Sequence, residues 1–161
     1  MIAYSGPSQA HPSAKTIVWR EVDLSAGRLT FFTDVRSAKW AALQKAPTLM
    51  ALLWCPIRRV QLSLSGQVDL SQGTARCTAQ FLGLSREQQT AYISMEAPGS
   101  LLVEAGSPPL KTLKPELGDR YFGCVDVHIS GYDFVSLHKE GHQRVVGTDL
   151  INSQKAYWAC P

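Results

Sequence analysis

The sequence predicts a mainly β domain, an antiparallel barrel or sandwich with helices packed outside it. Six or seven strand candidates follow one another through short turns, and few helices lie between them. The clearest strand is Val60–Leu70, where apolar and polar residues alternate with a period of two, as in a sheet with one buried face. Because strands and helices do not alternate, the pattern does not predict the βαβ units of a parallel sheet.

The first part of the chain predicts a β-hairpin. Residues 1–14 are expected to form a polar lead-in, and residues 15–161 a single domain. Thr16–Val22 is rich in β-branched and aromatic residues, and Arg28–Thr33 has the same character. The turn residues Asp23–Gly27 lie between these two strand candidates, so we expect the strands to pair.

The next segments predict a helix and two strands. Ser37–Ala46 carries Ala, Leu and Trp at helical spacing, with Ser37 as N-cap and Pro47 as the residue that ends the helix. Leu49–Trp54 is a short apolar run, typical of a buried strand. Gly66 interrupts the alternating strand that follows and predicts a bulge or bend there.

The middle of the chain predicts helices. Thr74–Leu82 and Arg86–Met95 have helical patterns, and the second begins with the capping-box pair Ser85 and Gln88. Lys114–Gly118 is predicted as a further short helix, with a proline at an early position.

The last part of the chain returns to strands separated by turns at Ser130–Gly131 and Glu140–Gly141. Tyr157 and Trp158 are expected to add a terminal strand. The three strands predicted before it are Tyr121–Ile129, Tyr132–His138 and Arg144–Thr148.

Composition excludes several classes of function. The net charge of +3 is small and the basic residues are scattered, which argues against a nucleic-acid partner. No apolar run approaches the roughly 20 residues that span a bilayer, and the N-terminus lacks the pattern of a secretory signal. We therefore expect a cytoplasmic protein without a membrane partner. The four cysteines form no C-x-x-C pair and no metal-ligand spacing, so reduced, buried thiols are expected and no metal is predicted.

The segment Thr30–Lys39 predicts a phosphate site. A strand gives way to a polar turn and then to a helix, and Arg36, Ser37 and Lys39 lie at that junction. Free backbone N–H groups and the positive end of the helix dipole gather at the same place. This combination suits a phosphate monoester, although a solvated turn with an N-cap would give the same pattern.

Three segments in order resemble the FMN-binding split-barrel family related to pyridoxamine 5′-phosphate oxidase. They are KTIVWREVD (Lys15–Asp23), FFTDVRSAK (Phe31–Lys39) and the stretch from Pro47 through Gln61 to Gly66. The second has the form found in an oxidase-related branch rather than in the true vitamin oxidases. The resemblance implies a six-stranded antiparallel Greek-key barrel and a homodimer with FMN at the subunit interface.

The resemblance also implies which residues bind FMN. Lys15 stands where the family has a phosphate-contacting arginine, and the strand beside it lies along the isoalloxazine ring. Gln61 matches a glutamine that bonds the flavin, and Arg144 is positioned to serve the flavin near the C-terminus. With the phosphate turn, the predicted cofactor-binding residues are Lys15, Ile17, Val18, Trp19, Phe32, Thr33, Arg36, Ser37, Lys39, Gln61 and Arg144.

The sequence departs from the true oxidases where these grip their substrate. Ala38 replaces an arginine, and Phe81–Gln89 does not reproduce their Tyr…Arg-x-x-x-Ser cluster. The sequence therefore favours a flavin-dependent oxidoreductase of unknown small-molecule substrate, with no catalytic side chain assigned. The alternatives are a non-catalytic module for flavin or haem, with His138 or His142 as haem ligand, and, third, a genuine pyridoxamine phosphate oxidase.

Overall fold

The computed structural model describes residues 1–4, 12–101, 114, 117–148 and 155–161. This part of the chain contains nine strands and three helices. The strands are β1 (Ile2–Tyr4), β2 (Ser13–Lys15), β3 (Trp19–Asp23), β4 (Arg28–Asp34), β5 (Thr48–Cys55), β6 (Val60–Gln72), β7 (Phe122–Ser136), β8 (Gln143–Thr148) and β9 (Lys155–Ala159). The helices are α1 (Ala38–Lys45), α2 (Ala75–Leu82) and α3 (Arg86–Gln89).

All strands belong to one antiparallel sheet, so the predicted mainly β fold is confirmed. Its order is β2-β1-β5-β6-β7-β4-β3, and β8 pairs with both β7 and β9. Among the described residues the two end strands of this order, β2 and β3, do not pair with each other. The nine strands exceed the six expected from the resemblance, because the ends of the chain also contribute short strands.

Strand β7 is the longest strand of the sheet and pairs with three others. Its first half pairs with β4 and its second half with β8, while β6 follows its other edge along the whole length. The turn predicted at Ser130–Gly131 was wrong, because both residues continue the strand. A Cβ at Gly131 would lie 2.8 Å from the Ser65 Oγ atom, so the glycine serves close strand packing there.

The bulge predicted at Gly66 is confirmed by a register shift between Ser65 and Gly66 in β6. A Cβ on this glycine would lie 2.6 Å from the carbonyl oxygen of His128, a backbone atom that cannot turn away. Gly66→Ala is therefore expected to lower the free energy of unfolding by about 1–3 kcal/mol, measured by urea denaturation.

Gly83→Ala is the matched control for that substitution. Gly83 ends α2 with a φ of −74°, and a Cβ there would meet its neighbours at 3.5 Å. Its effect should stay within about 0.5 kcal/mol. Equal stability of the two variants would show that the bulge does not require glycine.

The main hydrophobic core lies between the inner face of the sheet and α1. Two of its members are Ile2 and Tyr4 in β1, both buried. This part of the predicted polar lead-in is therefore built into the sheet, because β1 pairs with β2 and β5. Residues 5–11 of the lead-in lie outside the described residues.

The predicted starts of all three helices agree with the structure, and the side chains before them act as N-caps. The Ser37 hydroxyl accepts from the backbone N–H of Trp40, and Thr74 caps α2 in the same way. The capping box of Ser85 and Gln88 is present, but α3 ends at Gln89 rather than at Met95. The predicted helix Lys114–Gly118 lies largely outside the described residues.

The early end of α3 has a packing reason. The ring of Tyr92 lies 4.9 Å from that of Phe122 and 6.5 Å from that of Phe81, centre to centre. Tyr92 thereby joins a second core cluster between α2 and β7, formed by the buried residues Cys77, Phe81, Phe122 and Cys124. If α3 continued to Met95, Tyr92 would leave this position and lose its ring contacts with Phe81 and Phe122.

Candidate functional site

The turn between β4 and α1 is held by an ion pair. The buried carboxylate of Asp34 accepts from the backbone N–H of Arg36 at 2.8 Å and from its guanidinium at 3.0 and 2.6 Å. The guanidinium also donates to the carbonyl of Met95 and lies 3.7 Å from the ring centre of Tyr121. Arg36 is one of the predicted phosphate ligands, and in the structure its guanidinium pairs with Asp34 and holds the shape of the turn.

Two hydroxyls remain at the end of β4. The Oγ1 atom of Thr33 and the Oγ atom of Ser37 lie 3.5 Å apart, beside the first turn of α1. Thr33 is buried and Ser37 is half-buried. The backbone N–H groups at the start of α1 add donors and the positive end of the helix dipole, so the local arrangement favours an anion.

Lys39 provides an unneutralised positive charge at this place. Its burial, and then the nearby charge of Lys15, lower its pKa to about 8. Its Nζ atom lies 4.9 Å from the ring centre of Phe31. Within the described ranges, no carboxylate forms an ion pair with Lys39 or Lys15. We call Lys15, Thr33, Ser37 and Lys39 the lysine group.

A cavity of about 240 Å³ opens beside Lys39. Four predicted site residues contribute to its wall: Ile17, Val18, Phe32 and Lys39. The sequence analysis missed the other three, Thr16, Arg20 and Tyr92. Arg20 lies two residues after Val18, so strand alternation could have suggested it, whereas the position of Tyr92 depends on packing that no local pattern reveals.

The resemblance places the backbone of Trp19 beside the flavin ring, and in the structure the Trp19 side chain is not part of the smaller cavity's wall. Its ring packs edge-on against Phe31, with centres 5.6 Å apart. It also lines a larger and almost wholly apolar cavity of about 480 Å³ under the β3–β4 hairpin, which includes Leu53, Leu62 and Tyr132. That larger cavity contains no other predicted site residue, and the clustered cations lie at the smaller one.

Gln61 and Arg144 lie together but far from the lysine group. Gln61 in β6 and Arg144 in β8 are both register partners of Val135 in β7, so all three side chains share one face. Arg144 donates to Asp133 at 3.0 and 2.7 Å. We call Gln61 and Arg144 the distal group.

The separation of the two groups follows from the register of β7. Thr33 of the lysine group is the partner of Gly123, whereas the distal group is level with Val135. These two β7 residues are 12 positions apart, or about 40 Å along the strand at ~3.3 Å per residue. The structure therefore does not bring the complete predicted set to one place within a single chain.

The two histidines considered as haem ligands, His138 and His142, are both exposed. Among the described residues, no cluster of three or more His, Cys, Asp or Glu side chains could hold a metal ion. No helix in the same part of the chain has the length and hydropathy needed to cross a membrane.

A family model described as pyridoxamine 5′-phosphate oxidase, FMN-binding domain, matches residues 2–72. The resemblance to the pyridoxamine 5′-phosphate oxidase family is confirmed. The matched part contains the whole lysine group and Gln61 of the distal group, and it ends before Tyr92 and Arg144. No curated protein gives a significant match to the sequence.

Solved structures confirm the fold of the pyridoxamine 5′-phosphate oxidase family. A pyridoxamine 5′-phosphate oxidase-related, FMN-binding protein from Nostoc punctiforme PCC 73102 superposes with a TM-score of 0.80 at 21% identity, covering 99% of this chain and 86% of that one. PhzG from Burkholderia lata 383, solved with tetrahydrophenazine-1-carboxylic acid, gives 0.75 at 16%, covering 99% and 80%. An F420 reductase gives 0.51 at 14%, covering 81% and 85%.

Proposed function

We propose that this protein binds FMN and acts as a flavin-dependent oxidoreductase on a small-molecule substrate. The observation that carries the proposal is the lysine group. Lys39 lines a cavity with aromatic residues in its wall, and the charge of Lys15 acts on it. Two hydroxyls and the N-terminus of α1 lie at the turn just before Lys39, and neither lysine has a carboxylate partner in the described residues. A phosphate monoester joined to an aromatic ring system is complementary to each of these features.

The chemistry of the donors fits the phosphate of FMN. A dianion near Lys39 would favour the charged ammonium and so reverse the depression of its pKa. The hydroxyls of Thr33 and Ser37 and the N–H groups of α1 can donate to the phosphate oxygens. Arg36 supports the site indirectly, because its bonds to Asp34 hold the turn that carries Ser37 and Lys39.

The cavity is large enough to enclose only part of FMN. At about 240 Å³ it is smaller than the ~300–1,000 Å³ typical of ligand sites, so a nucleotide would extend beyond it. Ile17, Val18 and Phe32 offer an apolar wall for the ring. When bound, FMN would supply the electron-transfer chemistry, and the protein would bind, orient and shield it.

A second copy of the chain would complete the site. Since the distal group lies at the other end of β7, Gln61 and Arg144 can join the lysine group of a neighbouring chain in a two-fold dimer. Gln61 can both donate to and accept from a flavin edge. Trp54, the register partner of Gln61 in β5, is half exposed and would lie near that interface.

The direct test is titration of the cofactor-free protein with FMN and with riboflavin, followed by flavin fluorescence. Riboflavin has the same ring but no phosphate. We expect FMN to bind at least about 100-fold more tightly, since several charge-assisted hydrogen bonds contribute roughly 1.5–3 kcal/mol each. Equal affinity for the two would contradict the phosphate assignment.

The oxidoreductase role is tested separately, by adding NADH or NADPH to the flavin-loaded protein. Reduction of the bound flavin and its reoxidation in air would support that role. A flavin that is never reduced and reoxidised would favour a binding module.

The affinity for FMN is expected to depend on pH, with a maximum between about pH 6 and pH 8. Below about pH 6 the phosphate takes up its second proton and loses charge. Above pH 8 Lys39 loses its proton in the free protein, because its pKa is about 8. Binding then requires uptake of a proton, so the dissociation constant should rise by up to about tenfold per pH unit.

The measurement is a series of FMN titrations from about pH 6 to about pH 10, below the ordinary pKa of lysine. Riboflavin serves as the control, since its binding does not involve the phosphate. A dissociation constant for FMN that stays flat to pH 10 would contradict the combination of a lowered Lys39 pKa and a contact between Lys39 and the phosphate.

A further inference from the structure

Lys39 is a primary amine in the wall of a cavity that a small solute can enter. The side chain is half-buried, and its Nζ atom lies 4.9 Å from the ring centre of Phe31. The wall also includes the exposed residues Val18 and Arg20, so the cavity of about 240 Å³ is open to solvent. The amine of Lys39 is therefore within reach of small molecules.

Both charged side chains in the described wall of this cavity are cations. They belong to Arg20 and Lys39, and in the described part of the chain neither forms an ion pair with a carboxylate. The positive charge of Lys15 also acts on Lys39. Because opposite charges attract over several ångströms, a small anion is drawn to the place where the amine lies.

The amine of Lys39 also loses its proton more easily than that of an ordinary exposed lysine. Burial, and then the charge of Lys15, lower the pKa of Lys39 to about 8, so about half of the molecules hold a neutral amine at pH 8. At that pH a lysine with the ordinary pKa of about 10.4 is less than about 1% neutral. Only the neutral form has a free electron pair with which to attack a carbon atom.

These features select a small acyl phosphate as the reaction partner. Its phosphate is the anion that the cations attract, and its carbonyl carbon is the atom that a neutral amine attacks. The phosphate is also the leaving group, so the reaction needs no further reactant. The cavity encloses only part of a nucleotide, whereas acetyl phosphate, the simplest common member of this class, is far smaller than a nucleotide.

We propose that small acyl phosphates acylate Lys39 and that this modification blocks the cofactor site. The cations of the cavity hold the phosphate of the reagent, and the neutral Nζ atom attacks its carbonyl carbon. A nitrogen–carbon bond forms, the bond from that carbon to the phosphate oxygen breaks, and inorganic phosphate leaves with the electron pair. The proton that the nitrogen loses passes to solvent. The products are an amide on Lys39 and inorganic phosphate, and no group is oxidised or reduced.

Acylation changes the lysine group in two ways. The amide carries no charge, so the group loses one of its two cations, and the acyl group adds bulk to the cavity wall. Acetylated protein is therefore expected to bind FMN several-fold more weakly, an effect that rests on the proposed function. In the reverse direction, bound FMN covers the amine, so the loaded protein should be acylated more slowly than the cofactor-free protein.

The test treats the cofactor-free full chain with acetyl phosphate at pH 8 and locates the acetyl groups by tandem mass spectrometry over time. Lys45, exposed in the last turn of the same helix, is the internal control. We expect acetylation of Lys39 to be at least about tenfold faster than that of Lys45, since far more of its amine is neutral. Equal rates, or a faster reaction at Lys45, would overturn the proposal.

Acetic anhydride, a neutral acyl donor, tests whether the cations hold the phosphate. The ratio of the Lys39 rate to the Lys45 rate should be several-fold larger with acetyl phosphate than with acetic anhydride. Arg20→Met should lower the ratio for acetyl phosphate and leave the ratio for acetic anhydride unchanged. Arg86→Met removes an exposed arginine of α3 away from the described cavity wall and should change neither ratio. Equal ratios for the two reagents in the unaltered protein would overturn the assignment of an acyl phosphate.

The link to the cofactor is measured by adding FMN before acetyl phosphate and by titrating the acetylated protein with FMN. Slower acetylation of Lys39 with an unchanged rate at Lys45, together with weaker FMN binding after acetylation, would support the block. If FMN binds but changes neither rate, and acetylated protein binds it as before, the block is overturned. If the unmodified protein binds no FMN, the proposed function fails, while the rates at Lys39 and Lys45 still decide the acylation.

Discussion

Lys39→Met is expected to weaken FMN binding by about 10- to 100-fold, because one charge-assisted bond to the phosphate contributes roughly 1.5–3 kcal/mol. Methionine keeps the length and apolar stem of lysine, so the cavity wall changes little. The binding is measured by fluorescence titration near pH 7, where Lys39 still carries its charge.

The same substitution should stabilise the protein without cofactor. The pKa of Lys39 is about 8 in the folded chain and 10.5 in the reference state, so the folded state binds fewer protons between these values. Stability therefore rises with pH across that range, and the charged lysine costs stability below pH 8. Allowing for the screening of a partly exposed group, we expect Lys39→Met to raise the free energy of unfolding by about 1–2 kcal/mol at pH 7.

Lys45→Met is the matched control for both effects. Lys45 is exposed in the last turn of the same helix, so its removal deletes a charge of the same sign without touching the cavity. It should leave FMN affinity within about twofold and should not stabilise the protein. If Lys39→Met binds FMN as the unaltered protein does, the proposed phosphate site is wrong.

Mixing two variants that each bind FMN weakly is expected to restore tight binding at some of the sites. Lys39→Met damages the lysine group and Arg144→Met damages the distal group. If each site combines groups from two chains, a mixed dimer contains one intact site and one doubly damaged site. Random exchange makes half of the dimers mixed, so about one quarter of all sites should recover full affinity. The fraction is measured by FMN titration after subunit exchange.

The control for this experiment is a mixture of Lys39→Met and Ser37→Ala. Both substitutions damage the lysine group, so no combination of chains contains an intact site. Recovery in this control would point to an effect of mixing itself. No recovery with the Lys39→Met and Arg144→Met pair would place the whole site within one chain and remove the need for a dimer.

Local patterns predicted much of the fold. Alternation identified β6, and the caps Ser37 and Ser85 were recognised because their hydrogen bonds close within three residues. The bulge at Gly66 was also predicted, since a glycine inside an alternating strand marks a close approach of another backbone. Each of these signals depends on residues that are near one another in the sequence.

The errors arose where distant partners decide the structure. Ser130–Gly131 has the composition of a turn, but pairing with β6 and β8 on its two edges keeps β7 extended. The position of Tyr92 at the cavity follows from ring packing with Phe81 and Phe122, which no local pattern encodes.

The sequence predicted several residues of the smaller cavity, but it did not predict the distance between the lysine group and the distal group. The segment before β3, strand β4 and helix α1 bring Ile17, Phe32 and Lys39 to one cavity. The sequence could not show that Gln61 and Arg144 lie at the other end of β7, because that distance depends on the register of the strands.

The position of β3 at the end of the sheet order bears on how a bulky nucleotide could enter. Within the described residues β3 pairs with β4 alone, so it is held by one row of backbone hydrogen bonds, whereas β4 is held by two. Strands held on one side separate at a fraction of the free energy of global unfolding. The residues that lead into β3 form one wall of the cavity, so we expect this wall to open at a lower free energy than the rest of the sheet.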